Sequence, residues 1–417
     1  MRFRCRRIAA VLLCAVLLTA CGNNTAGNEI TEAPSSSDAA ETLSPTPQTE
    51  AAAETQTEAP AVSGSAAEPP PETSAAPPET TGTSLTAAPA STTQAAQPAD
   101  PPVAAELVLN GGGTLLLSSL RHYDPSEDAP AVYFTREISA DSLLSIYRAL
   151  PYALSGRVAV KLSTGESSAS NYLRPELIGG LVQSLNGSIA ECMTAYGGVR
   201  AVAALHKQVA KDRGYTAIAP FDLMDEDGDH EIPHAGTRID RAIVGSHLPD
   251  YDGILVLSHF KGHPLAGFGG AIKNVGIGLS SRKGKIYVHS ADTRTSGIVL
   301  HDDQKAWLEA LAETVKAVSD YENGGRNMLY ISVMNRLSVD CDCVALPAEP
   351  DMHDVGVLAS TDPVALDQAC VDLVYAVPDG HSLIVRMETR SGEHVLAHAE
   401  AIGLGSRSYR LVCIDAP

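Results

Sequence analysis

The densest reactive set in the chain is the run Ser258, His259, Phe260, Lys261, Gly262, His263 and Pro264. Two imidazoles and an ammonium this close suit proton transfer and anion binding near neutral pH. His259 and His263 have the spacing of a helical metal site, but Gly262 and Pro264 disfavour a helix. The same residues would also suit a polar loop with satisfied histidines. Residues 267–278 follow, with Gly267, Gly269, Gly270, Gly276 and Gly278 set around Lys273 and Asn274. Dense glycine lets backbone approach a ligand closely, and its N–H groups can cradle an anion. Lys273 in such a loop points to a phosphate or carboxylate contact, or to a point of covalent attachment. No Gly-Lys-Ser/Thr stands at the spacing of a Walker loop, and a flexible connector is the alternative reading. His289 lies just beyond the basic residues Arg282, Lys283 and Lys285.

Cys341, Asp342 and Cys343 form a third candidate. Cysteines one residue apart are expected to be poorly placed for a mutual disulfide. With the carboxylate between them they would suit a soft or borderline metal. A cluster site normally needs four thiolates, and Cys192, Cys370 and Cys413 are the other cysteines of this region. Cys192 is the candidate third metal ligand; two unconnected thiols, or one paired with Cys192, is the alternative. The acidic run from Asp222 to Asp229 looks calcium-like, but Gly228 is out of place for an EF-hand loop. A solvated turn is expected there.

These residues need strands and helices to hold them. Apolar runs at 157–162, 188–192, 216–219, 252–258, 328–333, 355–359 and 409–414 read as strands. Helical patterns cover 175–185, 199–213, 302–321 and 362–374, the last with Asp362 as cap and Pro363 in its first turn. Alternation of this kind predicts an α/β fold of three layers, a mainly parallel sheet flanked by helices. The run 258–264 follows directly on a buried strand, and ligand sites in open α/β sheets lie at the carboxyl ends of strands.

The remainder of the 417 residues reads differently. Arg2, Arg4, Arg6 and Arg7 precede an apolar run from Ile8 to Leu18, which ends Leu18-Thr19-Ala20-Cys21. This is the pattern of a secretion signal, expected over residues 1–20, and too short to span a bilayer. Its end resembles a bacterial lipobox. The resemblance implies a diacylglyceryl group on Cys21, holding the exported chain to the outer face of the cytoplasmic membrane. Residues 21–102 are rich in Ser, Thr, Ala, Pro and Glu, with no Lys or Arg between Arg7 and Arg121. Such a segment is expected to be a disordered stalk, leaving residues 103–417 as the globular domain. Its acids supply much of the net charge of −20, which argues against a nucleic-acid partner.

Several stretches together resemble the family named domain of unknown function 362, often labelled iron-sulfur centre proteins. They are 158–161 with Thr164-Gly165-Glu166, 171–175, Glu191-Cys192 with 195–198, 259–278, 340–343, 358–368 and 403–406. The resemblance covers nearly the whole domain. Many members carry a ferredoxin insert with Cys-x2-Cys-x2-Cys runs, which this chain lacks. Residues 263–273 are also similar to the core motif of lactate racemase and other nickel-pincer enzymes. That likeness implies a pincer nucleotide on Lys273, nickel on His289 and an acid–base role for His263. Arg174, within Asn171 to Pro175, would match the substrate-side Thr-Arg-Pro element of those enzymes. Their other catalytic histidine has no match, since 195–200 contains none.

Two functional expectations follow. One is a metal-dependent or redox enzyme acting on a small anion, with His259, Lys261 and His263 as catalytic groups. Lys273, Gly269, Gly270, Asn274, His289 and Arg174 would bind its substrate or cofactor. The other is a non-catalytic anion-binding lipoprotein, or a metal or iron-sulfur carrier built on Cys341, Cys343 and Cys192.

Overall fold

The structure is a computed structural model and describes residues 106–297 and 300–415. The expected signal, the lipidated Cys21 and the stalk lie outside the described residues. The strands in chain order are β1 (Glu106–Val108), β2 (Thr114–Leu116), β3 (Ala131–Thr135), β4 (Val158–Lys161), β5 (Ser188–Glu191), β6 (Phe221–Leu223) and β7 (Asp229–Pro233). They continue with β8 (Arg241–Gly245), β9 (Gly253–His259), β10 (Lys261–His263), β11 (Gly267–Gly269), β12 (Met328–Met334), β13 (Gly356–Ser360) and β14 (Arg410–Cys413). The helices are α1 (Ala140–Ala149), α2 (Pro175–Ser184), α3 (Ala203–Asp212), α4 (Tyr215–Ile218) and α5 (Ala271–Gly276). After these come α6 (Arg282–His289), α7 (Gln304–Tyr321), α8 (Pro363–Ala376), α9 (His381–Thr389) and α10 (His394–Ala401).

Eight strands form one sheet in the order β14-β3-β13-β12-β9-β4-β5-β6. All pairings are parallel except those of β13, which runs against both β12 and β3. β9 and β12 are buried along all seven residues. That is why they read as continuous apolar runs: a central strand covered on both faces has no solvent side to mark with polar residues. Alternate residues feed two cores. Leu255, Leu257, Ile331 and Val333 pack with Ile146 of α1 and Ile178 of α2. Ile254, Val256 and Tyr330 pack with Val275 of α5, Leu311 of α7 and Val371 of α8. The arrangement is the expected three-layer α/β fold. Among the described residues no helix is long and apolar enough to cross a membrane.

Local chemistry sets the element ends that matter. The Asp362 carboxylate accepts from the N–H groups of Val364 and Ala365 and starts α8, with Pro363 in the first turn. Asp303 caps α7 through the Lys305 N–H. Two local expectations and one alternative reading are corrected. Residues 216–219 lie in and just after the short helix α4, and the strand comes later, at β6. The expected helix 199–213 is interrupted at Val202, which is extended, so α3 begins at Ala203. The glycine-rich 267–278 is not a connector: it forms β11 and then α5, whose buried Ile272 and Val275 anchor it.

Candidate functional site

The site is assembled at the carboxyl ends of β4 and β9. From the end of β9 the chain turns into a hairpin in which β10 pairs with β11, Lys261 opposite Gly269 and His263 opposite Gly267. No helix forms, so the helical spacing of His259 and His263 is not realised. The loop carrying Asp342 lies against this hairpin, and the Gly262 N–H donates to the Ser338 carbonyl at 2.8 Å. A Cβ on Gly262 would overlap the Val339 backbone, so glycine is required by the close approach.

Asp342 is buried and organises one half of the site. Its Oδ1 meets His259 Nδ1 at 3.0 Å and its Oδ2 accepts from Lys261 Nζ at 2.8 Å. His259 Nε2 donates to the Asn335 carbonyl at 2.6 Å. Both ring nitrogens thus face acceptor oxygens. Burial alone would raise Asp342, but the Lys261 ammonium and His259 hold it well below the usual carboxylate range. The candidate catalytic groups His259 and Lys261 are therefore engaged with each other through one carboxylate.

His263 is arranged differently. Its Nδ1 accepts two backbone N–H groups, from Leu265 at 3.1 Å and Ala266 at 2.9 Å. Nδ1 has no room for a proton, so the neutral ring carries its hydrogen on Nε2. Burial, and then the nearby Lys273, His289, Lys261 and Arg386, push its pKa well below the ordinary histidine value. His263 is a fixed neutral hydrogen-bond donor. His289 has the opposite tautomer. Its Nδ1–H donates to the Lys285 carbonyl at 2.7 Å, leaving the Nε2 lone pair available, and its ring rests against Trp307. That is the form of a metal-binding or proton-accepting imidazole. Burial is the main reason its pKa falls to about 4, with Lys273 and Lys285 adding to the shift.

Lys273, on α5, is the unusual group. It is half-buried, and among the described residues it has neither a hydrogen-bond acceptor nor an ion-pair partner. Burial and the neighbouring Lys261 and Lys161 lower its pKa to about 7. Lys161, which the sequence reading passed over, sits at the end of β4 and donates to the Leu162 carbonyl and to Asn274 Oδ1. Burial is the main cause that lowers it to about 8, against the pull of Glu191. Lys285 on α6 is buried and donates to the Ser280 carbonyl at 2.5 Å. Lys261, Lys273 and Arg386 thus act on His263, while Lys161, Lys261, Lys285 and the Asp342 carboxylate act on Lys273.

The remaining predicted site residues divide. Gly269 lies between the side chains of Lys261 and Lys273 and leaves room for both. Asn274 is a clamp: its amide donates to the Lys161 and Leu257 carbonyls and to Ser258 Oγ, tying α5 to the ends of β4 and β9. The anion cradle expected at Gly269 and Gly270 is taken by the protein itself. The buried Asp367 carboxylate accepts from the Ala271 and Ile272 N–H groups at 2.7 and 2.9 Å, and a Cβ on Gly270 would collide with it. Arg174 stacks on Tyr172 at 3.8 Å and donates to the Ser170 carbonyl, and none of its partners belongs to the Lys273 group.

Cys341 and Cys343 are joined in a disulfide, against the expectation that their spacing disfavours one. The tight turn at this point, closed by the Val344 N–H to the Cys341 carbonyl at 2.9 Å, brings the two Cα atoms to 5.3 Å. That separation lies within the range a disulfide bridges. Donor atoms of His263, Cys341 and Cys343 lie within 4.8 Å of one another, and among the described residues no third cysteine joins them. Cys192 is elsewhere, its thiol donating to the Leu279 carbonyl, and burial pushes its pKa up to about 12. This donor set does not fit a four-thiolate cluster. The acidic run is spent on local bonds: Asp222 and Asp227 bind His247, and Asp225 accepts from the Met193 and Arg282 N–H groups. Two open clefts, of about 370 and 490 Å³, lie at Lys305–His394–Arg407 and at Asp240–Tyr287–Arg294, and neither is lined by His263, Lys273 or His289.

An eight-stranded α/β domain with a cluster of cationic side chains at the strand ends is the class these features define. Residues 158–372 match the family described as domain of unknown function (DUF362), and the chain belongs to that family. No curated protein matches the chain. Among solved structures it is similar to the lactate racemase apoprotein from Thermoanaerobacterium thermosaccharolyticum, with 12% identity and a TM-score of 0.36 over 64% of this chain and 61% of that one. It is also similar to a structural-genomics protein from Thermotoga maritima, with 10% identity and a TM-score of 0.35 over 60% of this chain and 58% of that one. The chain thus spans about three fifths of the length of these proteins.

Proposed function

We propose that the domain is an enzyme that binds a small carboxylate or phosphate between His263 and Lys273 and performs acid–base chemistry on it. The observation that carries this reading is the Lys273 ammonium, half-buried among other cations and, among the described residues, without a hydrogen-bond or ion-pair partner, the Asp342 carboxylate acting on it only from beyond ion-pair distance. An uncompensated buried charge is costly, and an anionic ligand supplies the compensation. His263 Nε2–H then donates to an oxygen of the bound anion, while the neutral fraction of Lys273 near pH 7 serves as base or nucleophile. The Nε2 lone pair of His289 is available as a second base or as a ligand for a metal. The metal content of protein purified without oxygen distinguishes those two roles.

The test is a thermal-shift screen of the purified protein with inorganic phosphate and short mono- and dicarboxylates. A ligand at a hundred times its Kd stabilises by about 2.7 kcal/mol. At least one anion raises the unfolding temperature of the wild type, and Lys273→Ala abolishes the shift. An undiminished shift in Lys273→Ala removes the assignment. We further propose export and anchoring by lipid on Cys21 at the outer face of the cytoplasmic membrane, supported by the Arg-rich start, the short apolar run and the Leu18-Thr19-Ala20-Cys21 end. Two acyl chains on one cysteine give stable anchoring. In cells given labelled palmitate the chain becomes labelled and Cys21→Ser does not; equal labelling of both would exclude Cys21 as the site.

A further inference from the structure

The Cys341–Cys343 pair is not equivalent at its two ends. Cys341 is 3% exposed, and its Sγ already accepts the Cys343 N–H at 3.3 Å. Cys343 is half-buried, and the chain beyond it runs outward to Leu346, which is 82% exposed. Cys343 is thus the more exposed residue of the two, while Cys341 is sheltered and its sulfur holds a hydrogen-bond donor ready for developing negative charge. Thiol–disulfide exchange needs this division: an accessible sulfur to attack and a leaving sulfur whose thiolate is stabilised. The loop is anchored on both sides of the pair. Ser338 Oγ donates to the Ala348 carbonyl at 2.6 Å, the Glu166 N–H to the Asp342 carbonyl at 2.7 Å, and Ser170 Oγ to the Val344 carbonyl at 2.8 Å. None of these bonds involves a sulfur, so the S–S bond can open without releasing the loop.

We infer that Cys341–Cys343 is a redox-active disulfide that exchanges with a dithiol, with Cys343 as the attacked sulfur and Cys341 as the leaving one. A thiolate of the dithiol attacks Cys343 Sγ and forms a mixed disulfide. The S–S bond breaks and its electron pair goes to Cys341 Sγ, which takes up a proton. The second thiolate of the dithiol then attacks the reductant's own sulfur in the mixed disulfide and releases Cys343. Two electrons and two protons pass from the dithiol to the pair, and the dithiol leaves as a disulfide. The inference does not rest on the anion reading, although both sulfurs lie within 4.8 Å of a His263 ring nitrogen.

Folded full-length protein is equilibrated with dithiothreitol, alkylated without denaturant and mapped by peptide mass. Cys341 and Cys343 become labelled together, while the buried Cys192 and Cys370 remain unlabelled. A pair labelled only after denaturation would overturn the inference. The single variants test the direction. In Cys341→Ser the remaining Cys343 forms a mixed disulfide with oxidised glutathione at least about tenfold faster than Cys341 does in Cys343→Ser, because accessibility limits the buried thiol. Equal rates, or the reverse order, would refute the assigned roles even if the wild-type pair is reducible.

Discussion

At the scale of single residues the site is a study in unequal histidines and an unpaired lysine. His263 is fixed as a donor by two backbone N–H groups, and His289 as an acceptor by one carbonyl. Lys273 has no such partner, and its position costs stability that the ligand-free protein must bear. The sign of that cost with pH follows from its pKa, about 7 when folded against an ordinary value of 10.5. Below pH 7 the ammonium is charged in both states and the full penalty of holding it among the neighbouring cations is present. Between pH 7 and 10.5 the folded state binds fewer protons than the unfolded, so stability rises with pH. Above that range the penalty is gone. Lys273→Met should therefore unfold at a higher temperature than wild type at pH 6, with the difference shrinking towards pH 10. Scanning calorimetry across that range checks it, and an advantage that grows with pH would contradict the depressed pKa. Anion affinity should fall through pH 7 as the ammonium is lost, while any step that uses the neutral amine gains.

At the scale of elements the hairpin β10–β11 and the loop 338–348 hold Lys261, His263 and Asp342 by close backbone contact. Gly262→Ala places a methyl against the Val339 backbone, which cannot move aside as a flexible side chain would. We expect a loss of about 1–3 kcal/mol from such overpacking, read by urea unfolding. Anion binding should weaken as well, because Asp342 shifts with its loop. Unchanged stability would mean the loop is not seated on the hairpin. Much of this framework is legible in the sequence. The buried strands β4, β9 and β12 show as apolar runs, and α8 shows by Asp362 and Pro363. The reactive run 258–264 follows a strand end, where the cationic cluster gathers. What local pattern cannot supply is pairing across the chain. Asp342 reads as a carboxylate that would join two cysteines at a metal, yet it is the partner of His259 and Lys261, 83 and 81 residues away. Asp367 reads as a helix residue, yet it occupies the N–H groups of α5 from 96 residues away. Lys161 carries a faint local signal, being a charged residue ending an apolar strand; Arg386 carries none. The error at 267–278 has a physical cause too: glycine density hides the apolar spacing that α5 uses for packing.

At the scale of the whole molecule the charges pull in two directions. The chain carries a net charge of −20, while Lys161, Lys261, Lys285 and Arg386 act on Lys273 or His263 at one end of the sheet. An extended polyanion cannot use that cluster alone, because its further phosphates meet an acid-rich chain and gain none of the counterion release that drives nucleic-acid binding. A compact anion has only its one charged group to place, and that group lies within the short range where the lysines dominate and solvent screens least. On the proposed anion reading, the two scales of charge would act as a filter by ligand size rather than by sign. A fluorescently labelled 20-nucleotide DNA, single- or double-stranded, should show no anisotropy change with the protein at about 50 mM salt, where electrostatic binding would be strong. Inorganic phosphate or a short carboxylate should shift the unfolding temperature under the same conditions. Micromolar DNA binding that falls steeply with salt would mean that the cations form an open basic surface, and the reading of a site built for one small anion would fail with it.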